Sequence, residues 1–182
     1  MTLAYEYKNF IDDPIFPEKT RFNIRTGFGK RTSKLNENDQ KYIEINFSHN
    51  LYLNKRNSIN LRSQNFFLQS TNYITNELYR FGGIQSIRGF NENSLQANTV
   101  ATLLTEYRFV LSSSLYMHSV LDYGFYEDLA TKYKNNLLGL GFGFGIRSKN
   151  GLLNIVYANG STKNQAIKLT NSVVQVKFIT EF

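Results

Sequence analysis

The chain has no cysteine and no tryptophan, and only two prolines and two histidines among its 182 residues. Without cysteine it can form no disulfide, no thiolate metal site and no cysteine nucleophile. His49 and His118 alone are too few for a histidine-based metal cluster. No apolar run approaches the roughly 18 residues of a transmembrane helix. Residues 1–6 lack the basic start and apolar core of a signal peptide.

Aromatic residues are abundant instead: 12 tyrosines and 15 phenylalanines make up 15% of the chain. This share is high for a soluble domain and suits β-strands and the aromatic girdles of membrane barrels. The formal charge of +7 could indicate a nucleic-acid partner. Lysine and arginine are spread along the chain rather than clustered, so we expect no nucleic-acid binding.

Apolar and polar residues alternate, as in a β-strand, in about nine segments, and no window of useful length has a helical period. Several segments run to roughly 10–12 residues, which is enough to cross a bilayer at a tilt. Strands of soluble sandwiches are usually about 5–6 residues long. The sequence therefore predicts an all-β fold, an antiparallel transmembrane β-barrel. The segments lie near residues 2–8, 20–30, 40–51, 57–69, 98–111, 114–126, 136–147, 151–159 and 172–182.

The connections between these segments alternate in length, with short turns on one side and long loops on the other, which is the outer-membrane barrel arrangement. Because single-chain bacterial barrels have an even number of strands, about nine strands indicate either a count wrong by one or part of a larger barrel. We expect residues 1–182 to be the C-terminal part of such a barrel. The predicted short turns are 112–114 and 148–151; the predicted long loops are 31–39, 70–97, 127–135 and 160–171.

The loop at 70–97 carries the most distinctive residues of the chain. Its glycines allow a tight path, and the apolar residues beside Arg88 would be poorly placed in water. Glu106 and Asp122 have the lumen-facing parity of the next two strands. A guanidinium folded into the lumen could pair with both carboxylates, so we predict that pairing. The loop motif consists of Gly82, Gly83, Ile87, Arg88, Gly89 and Phe90.

This motif, a Gly-Gly followed by Ile-Arg-Gly-Phe, resembles the sixth extracellular loop of the BamA/TamA-type outer-membrane protein assembly and translocation barrels. Glu106 and Asp122 look like the acidic positions that face the loop arginine in that family. Residues 12–17 resemble its periplasmic turn, usually F-P-T-x-G, although the glycine is missing here. The resemblance implies a barrel of about sixteen strands, of which this chain would supply the last nine or so. The family's periplasmic POTRA repeats are absent from these residues.

The C-terminal strand ends on an aromatic residue, as outer-membrane proteins commonly do. We assign Val176, Phe178 and Phe182 to this C-terminal signal. Many barrels share it, so it indicates the outer membrane as the location rather than the family.

The resemblance implies a non-enzymatic, integral outer-membrane protein that inserts nascent outer-membrane proteins. Its partners would be lipids of that membrane, nascent client proteins and accessory lipoproteins, with no cofactor. A secretion translocator of the same superfamily, either a two-partner secretion pore or a patatin-fused barrel, is an alternative. A passive pore or adhesin would explain the alternation but not the Arg88 loop. His118 and Asp122 share a strand face, but no Gly-x-Ser-x-Gly element occurs, so we expect no catalytic residue and no metal site.

Overall fold

The computed structural model describes residues 1–32, 37–129 and 131–180, and in them the chain is all-β. Two short 3₁₀ turns, Thr75–Glu77 and Leu169–Asn171, lie in connections between strands. Across the described ranges, no helix has the length and apolar character needed to span a membrane. The strands are β1 (Thr2–Phe10), β2 (Glu18–Thr32), β3 (Glu37–Tyr52), β4 (Asn57–Ser70), β5 (Tyr79–Phe81), β6 (Leu95–Ala97), β7 (Thr99–Ser112), β8 (Leu115–Asp128), β9 (Tyr133–Ser148), β10 (Gly151–Thr162) and β11 (Ser172–Thr180).

The nine long strands form one antiparallel sheet in the order β1-β2-β3-β4-β7-β8-β9-β10-β11. Each strand pairs with its neighbour in sequence, and β5 and β6 form a separate hairpin inside the loop that joins β4 to β7. The predicted antiparallel all-β fold is thus confirmed, and each predicted segment corresponds to one strand of the sheet. Over the ranges that the structure describes, β1 and β11 each pair with one neighbour, so the sheet is open rather than a closed barrel.

Two connections that the sequence predicts as long loops are shorter in the structure. The β2–β3 ladder continues to the pair Thr32↔Glu37, so most of the predicted loop at 31–39 is strand. The β8–β9 ladder continues to Asp128↔Tyr133 in the same way. Polar residues that suggested loops are held in these ladders by cross-strand pairs, among them the salt bridge between Lys30 and Glu37.

One face of the sheet is apolar and exposed and the other is polar and buried, which is the reverse of a soluble sheet. Side chains on the convex face are apolar yet exposed: Leu121 and Tyr123 are each 52% accessible. Their strand neighbours on the concave face are polar yet buried, with Asp122 at 0% and His118 at 3%. A soluble sheet buries its apolar face and exposes its polar one. The convex face is therefore a broad apolar surface without a protein partner among the described residues.

The concave side holds the loop and an open space of about 790 Å³, which is lined from β1 to β11. Because strands at both ends of the sheet reach this one space, the sheet curves strongly around it. Beneath the loop lies an apolar cluster in which the loop residues Phe81 and Ile87 pack between wall residues. Burying a side chain of this size contributes about 1.5–3 kcal/mol, so the cluster anchors the loop inside the curve. The wall residues of this cluster are Phe66, Leu68, Val100, Leu104, Tyr126 and Leu137.

Candidate functional site

The loop turns back on itself next to the wall at a pair of glycines. Gly82 and Gly83 have φ of +100° and +104°, a conformation that strains residues with a Cβ. The Gly83 amide donates to the Ile87 carbonyl at 3.1 Å, and the Ser86 amide donates to the Gly83 carbonyl at 3.1 Å. This tight turn directs Arg88 at the sheet.

Arg88 is the largest fully buried side chain in the described part of the chain, with 1% exposure. Its Nε donates to Asp122 Oδ2 at 2.8 Å and its Nη2 to Asp122 Oδ1 at 2.5 Å. The Arg88 main-chain amide donates to the same carboxylate at 2.9 Å. The third guanidinium nitrogen, Nη1, donates to Glu106 Oε1. The guanidinium thus forms a two-bond fork with one carboxylate and a bridge to another, on neighbouring strands of the wall.

Glu106 is shared by three arginines. Its Oε1 accepts from Arg88 and, at 3.4 Å, from Arg62 Nη2 on β4. Its Oε2 accepts from Arg108 Nε at 2.7 Å and lies 2.6 Å from Arg108 Nη2. The carboxylate therefore joins the loop to β4 and to its own strand β7, and it is 4% exposed. The buried cluster has three guanidinium groups and two carboxylates.

The β7–β8 ladder is interrupted where Arg88 enters. Thr105 pairs with Leu121 and pairing resumes at Arg108 with His118, leaving a gap between them. At the edge of this gap the Thr105 amide donates to Asp122 Oδ1 at 3.3 Å, and the Thr105 carbonyl accepts from Arg88 Nη2 at 3.4 Å. Side chains of the cluster thus replace backbone pairing, which keeps these buried polar groups bonded.

The loop tip continues beyond Arg88 to the last two strands. Gly89 has a φ of +86°, and a Cβ there would overlap the backbone of Asn159 and Gly160 on β10. The Phe90 carbonyl accepts from Gln175 Nε2 of β11 at 2.8 Å. One loop segment therefore contacts strands from β4 to β11 and braces the concave side.

Glycines of β9 make room for this arrangement. A Cβ at Gly139 would overlap the Arg88 carbonyl oxygen, and one at Gly143 would overlap the His118 ring. Every second residue between positions 139 and 145 is a glycine on the concave face, so the loop and the large side chains of β8 fit closely against this part of the wall. The stripe comprises Gly139, Gly141, Gly143 and Gly145.

The charge state of Arg88 follows from these contacts. Burial alone would lower the pKa of the guanidinium, but the hydrogen bonds to Asp122 and the charges of Glu106 and Asp122 outweigh that effect, so the pKa is raised. A permanently charged, forked group with both carboxylates in reach acts as a fixed brace.

The residues that were predicted to pair are in contact in the structure. Arg88, Glu106 and Asp122 form one cluster, and Ile87 is fully buried beneath it at 0% exposure. The terminal-strand residues Val176 and Phe178 lie on the convex face, 60% and 54% exposed. Phe182, the third residue of the predicted C-terminal signal, lies outside the described residues.

Three contacts of the site were missed at the sequence level. Arg108 stands two residues after Glu106 on the same strand face, so its spacing could have identified it. Arg62 shares the concave parity of β4, but its approach to Glu106 depends on the register between β4 and β7. The bond between Gln175 and Phe90 spans 85 positions and has no local signal.

Comparison of the chain with protein-family models and with curated proteins gave no match. Its function is therefore inferred from the residues and their contacts.

Proposed function

We propose that this chain is the C-terminal part of an outer-membrane β-barrel that assists the insertion of other outer-membrane proteins, without enzymatic activity. The observation that carries the proposal is the burial of Arg88 between Glu106 and Asp122. An arginine exposed to solvent would be equally consistent with a passive pore. A loop folded inward and bonded to two wall strands is the feature that the assembly and translocation barrels share.

The convex face supports a location in the membrane. Exposed Leu103, Leu121, Phe142 and Val176 would be costly in water as one continuous surface. In lipid such a face is favourable, and polar groups on the concave side remain hydrated or paired.

The edge strand β11 supports a role in insertion. Of the described strands, only β10 pairs with β11, so the backbone donors and acceptors on the other side of β11 have no strand partner within the described residues. Such an edge can template an incoming strand by main-chain hydrogen bonds. The bond from Gln175 to the loop holds this edge next to the brace.

The insertion role can be tested by cross-linking from β11. Residues 1–182 contain no cysteine, so Val174→Cys, with any cysteine elsewhere in the full-length protein replaced by serine, gives a single thiol at a position 63% exposed. We expect it to form a disulfide with a client barrel that has a single cysteine in its terminal strand during insertion into liposomes. The product is measured on non-reducing gels.

Leu103→Cys is the matched control, because Leu103 is 50% exposed but lies on β7, inside the sheet. We expect it to give several-fold less product. Equal cross-linking from both positions would count against templating by β11 and favour a passive barrel.

The membrane location can be tested with Leu121→Arg. An arginine on a lipid-facing position near the bilayer centre costs about 2 kcal/mol of unfolding free energy, whereas at an exposed site in water it costs close to nothing. We expect that loss in urea titrations of the protein refolded into lipid vesicles. Thr131→Arg, in the exposed β8–β9 connection, should leave the midpoint unchanged. Equal midpoints for the two variants would refute a lipid-facing convex surface.

A further inference from the structure

We propose that the β1–β2 turn, residues 11–17, is a gate that closes one end of the concave space, and that Arg108 is the positioning residue that holds it shut. The inference rests on the proposed function only in requiring a membrane-inserted barrel. It does not require that the barrel insert client proteins.

The turn is folded by its own polar contacts. Asp13 Oδ1 accepts from the amides of Ile15 and Phe16 at 2.8 and 2.7 Å. The Ile11 amide donates to the Pro17 carbonyl at 2.8 Å and closes the base. These bonds make the turn a compact unit that can move as one piece.

This compact turn is seated inside the curve rather than in solvent. Ile15 and Phe16 are 5% and 7% exposed and pack against Tyr116 and Leu152, on β8 and β10. The rings of Phe16 and Tyr116 meet edge to face at 4.7 Å between centroids. On the opposite wall, Tyr52 donates its hydroxyl to the Phe16 carbonyl at 2.7 Å. The turn therefore crosses from the β1 edge of the sheet to β10.

A cation–π contact holds the turn in place. The Arg108 guanidinium carbon lies 4.3 Å from the centroid of the Phe16 ring. The same guanidinium is fixed by Glu106, whose other oxygen accepts from Arg88. A chain of contacts, Arg88–Glu106–Arg108–Phe16, thus links the loop that enters from one end with the turn that enters from the other.

The other connections at this end of the sheet, 53–56, 113–114 and 149–150, are short. Residues 11–17 form the longest connection there, and Ile15, Phe16 and Pro17 line the concave space. Loss of the Arg108 contact should release the turn toward the periplasmic side and open the space, while the strands stay paired.

The test uses Ile15→Cys in the full-length protein in liposomes, with any cysteine outside residues 1–182 replaced by serine, and the readout is the rate of reaction with a water-soluble maleimide. With Arg108 intact we expect slow labelling. Adding Arg108→Gln should speed it about tenfold, as expected when a desolvated cation–π contact is lost. Arg25→Gln is the matched control: Arg25 lines the same space and pairs with Glu44 at 3.3 Å, so labelling should stay slow.

A second reporter separates a local gate from general loosening. Ala158 on β10 is fully buried at 0% exposure, in a different apolar cluster. Ala158→Cys should label slowly with or without Arg108→Gln. The gate is overturned if Ile15→Cys reacts fast while Arg108 is present, if Arg108→Gln leaves its rate unchanged, or if both reporters accelerate equally. The labelling experiment needs no client protein. Its result can therefore be interpreted even if the insertion experiment fails.

Discussion

Replacing Arg88 with alanine should lower the unfolding free energy of the lipid-embedded protein by about 3–5 kcal/mol, which is the cost of breaking a buried ion pair. The side chains of Arg88 and Asp122 are 1% and 0% exposed. The Asp122 carboxylate loses its ion pair in the variant and keeps only the main-chain amides of residue 88 and Thr105 as donors. Glu106 keeps Arg62 and Arg108. The loss is measured by the urea midpoint and by heat-modifiable gel mobility.

Arg80→Ala is the control for removing an arginine from the same loop, because Arg80 is exposed on β5. It should change the unfolding free energy by less than about 0.5 kcal/mol. Arg88→Lys should recover only part of the loss, since one ammonium cannot reproduce the two-bond fork to Asp122 and the bridge to Glu106. Full recovery by lysine would show that net charge, and not the fork, holds the loop.

The double variant Arg88→Met with Asp122→Asn tests the stated cause. It removes one positive and one negative charge and leaves Glu106 paired with its other two arginines. If an uncompensated carboxylate accounts for the loss, the double variant should be more stable than Arg88→Ala by about 1–3 kcal/mol. A double variant less stable than Arg88→Ala would contradict that account.

The strands and the central cluster could be predicted because both follow from local patterns. Alternation places Glu106 and Asp122 each on the polar face of its own strand, since the side-chain period of a strand is two residues, and the polar faces of neighbouring strands lie on the same side of the sheet. Glycines before Arg88 indicate a loop that can lie close to a wall. Two acids on adjacent strands and one nearby arginine therefore sufficed to predict the pairing.

Contacts that depend on the register between strands, or on the path of the loop, could not be predicted. Arg62 meets Glu106 because Asn60 stands opposite that residue in the β4–β7 ladder. The β5–β6 hairpin has three-residue strands, too short for a period to be visible. The predicted loop at 31–39 was wrong because the β2–β3 backbone ladder continues through polar residues to the pair Thr32↔Glu37, a tertiary effect that local composition does not contain.

Substitution of Gly89 by alanine should prevent the loop from seating and should cost about 3 kcal/mol or more of unfolding free energy. The φ of +86° is strained for a residue with a Cβ, and that Cβ would overlap backbone atoms of Asn159 and Gly160. Backbone of a paired strand cannot move aside cheaply, so the loop must shift and the Arg88 cluster with it. We expect a lower urea midpoint and faster proteolysis within the loop between β4 and β7.

Gly29→Ala and Gly139→Ala separate the causes of that loss. A Cβ at Gly29 on β2 meets nothing within 4 Å, so alanine there should be neutral or stabilising by up to about 0.5 kcal/mol, because glycine weakens a strand. Gly139 has no positive φ, yet its Cβ would overlap the Arg88 carbonyl oxygen. A loss at Gly139 close to that at Gly89 would assign the effect to the close approach of loop and wall, and a loss confined to Gly89 would assign it to backbone strain. If all three variants had the same midpoint as the unaltered protein, the loop could not be packed against β9 and β10.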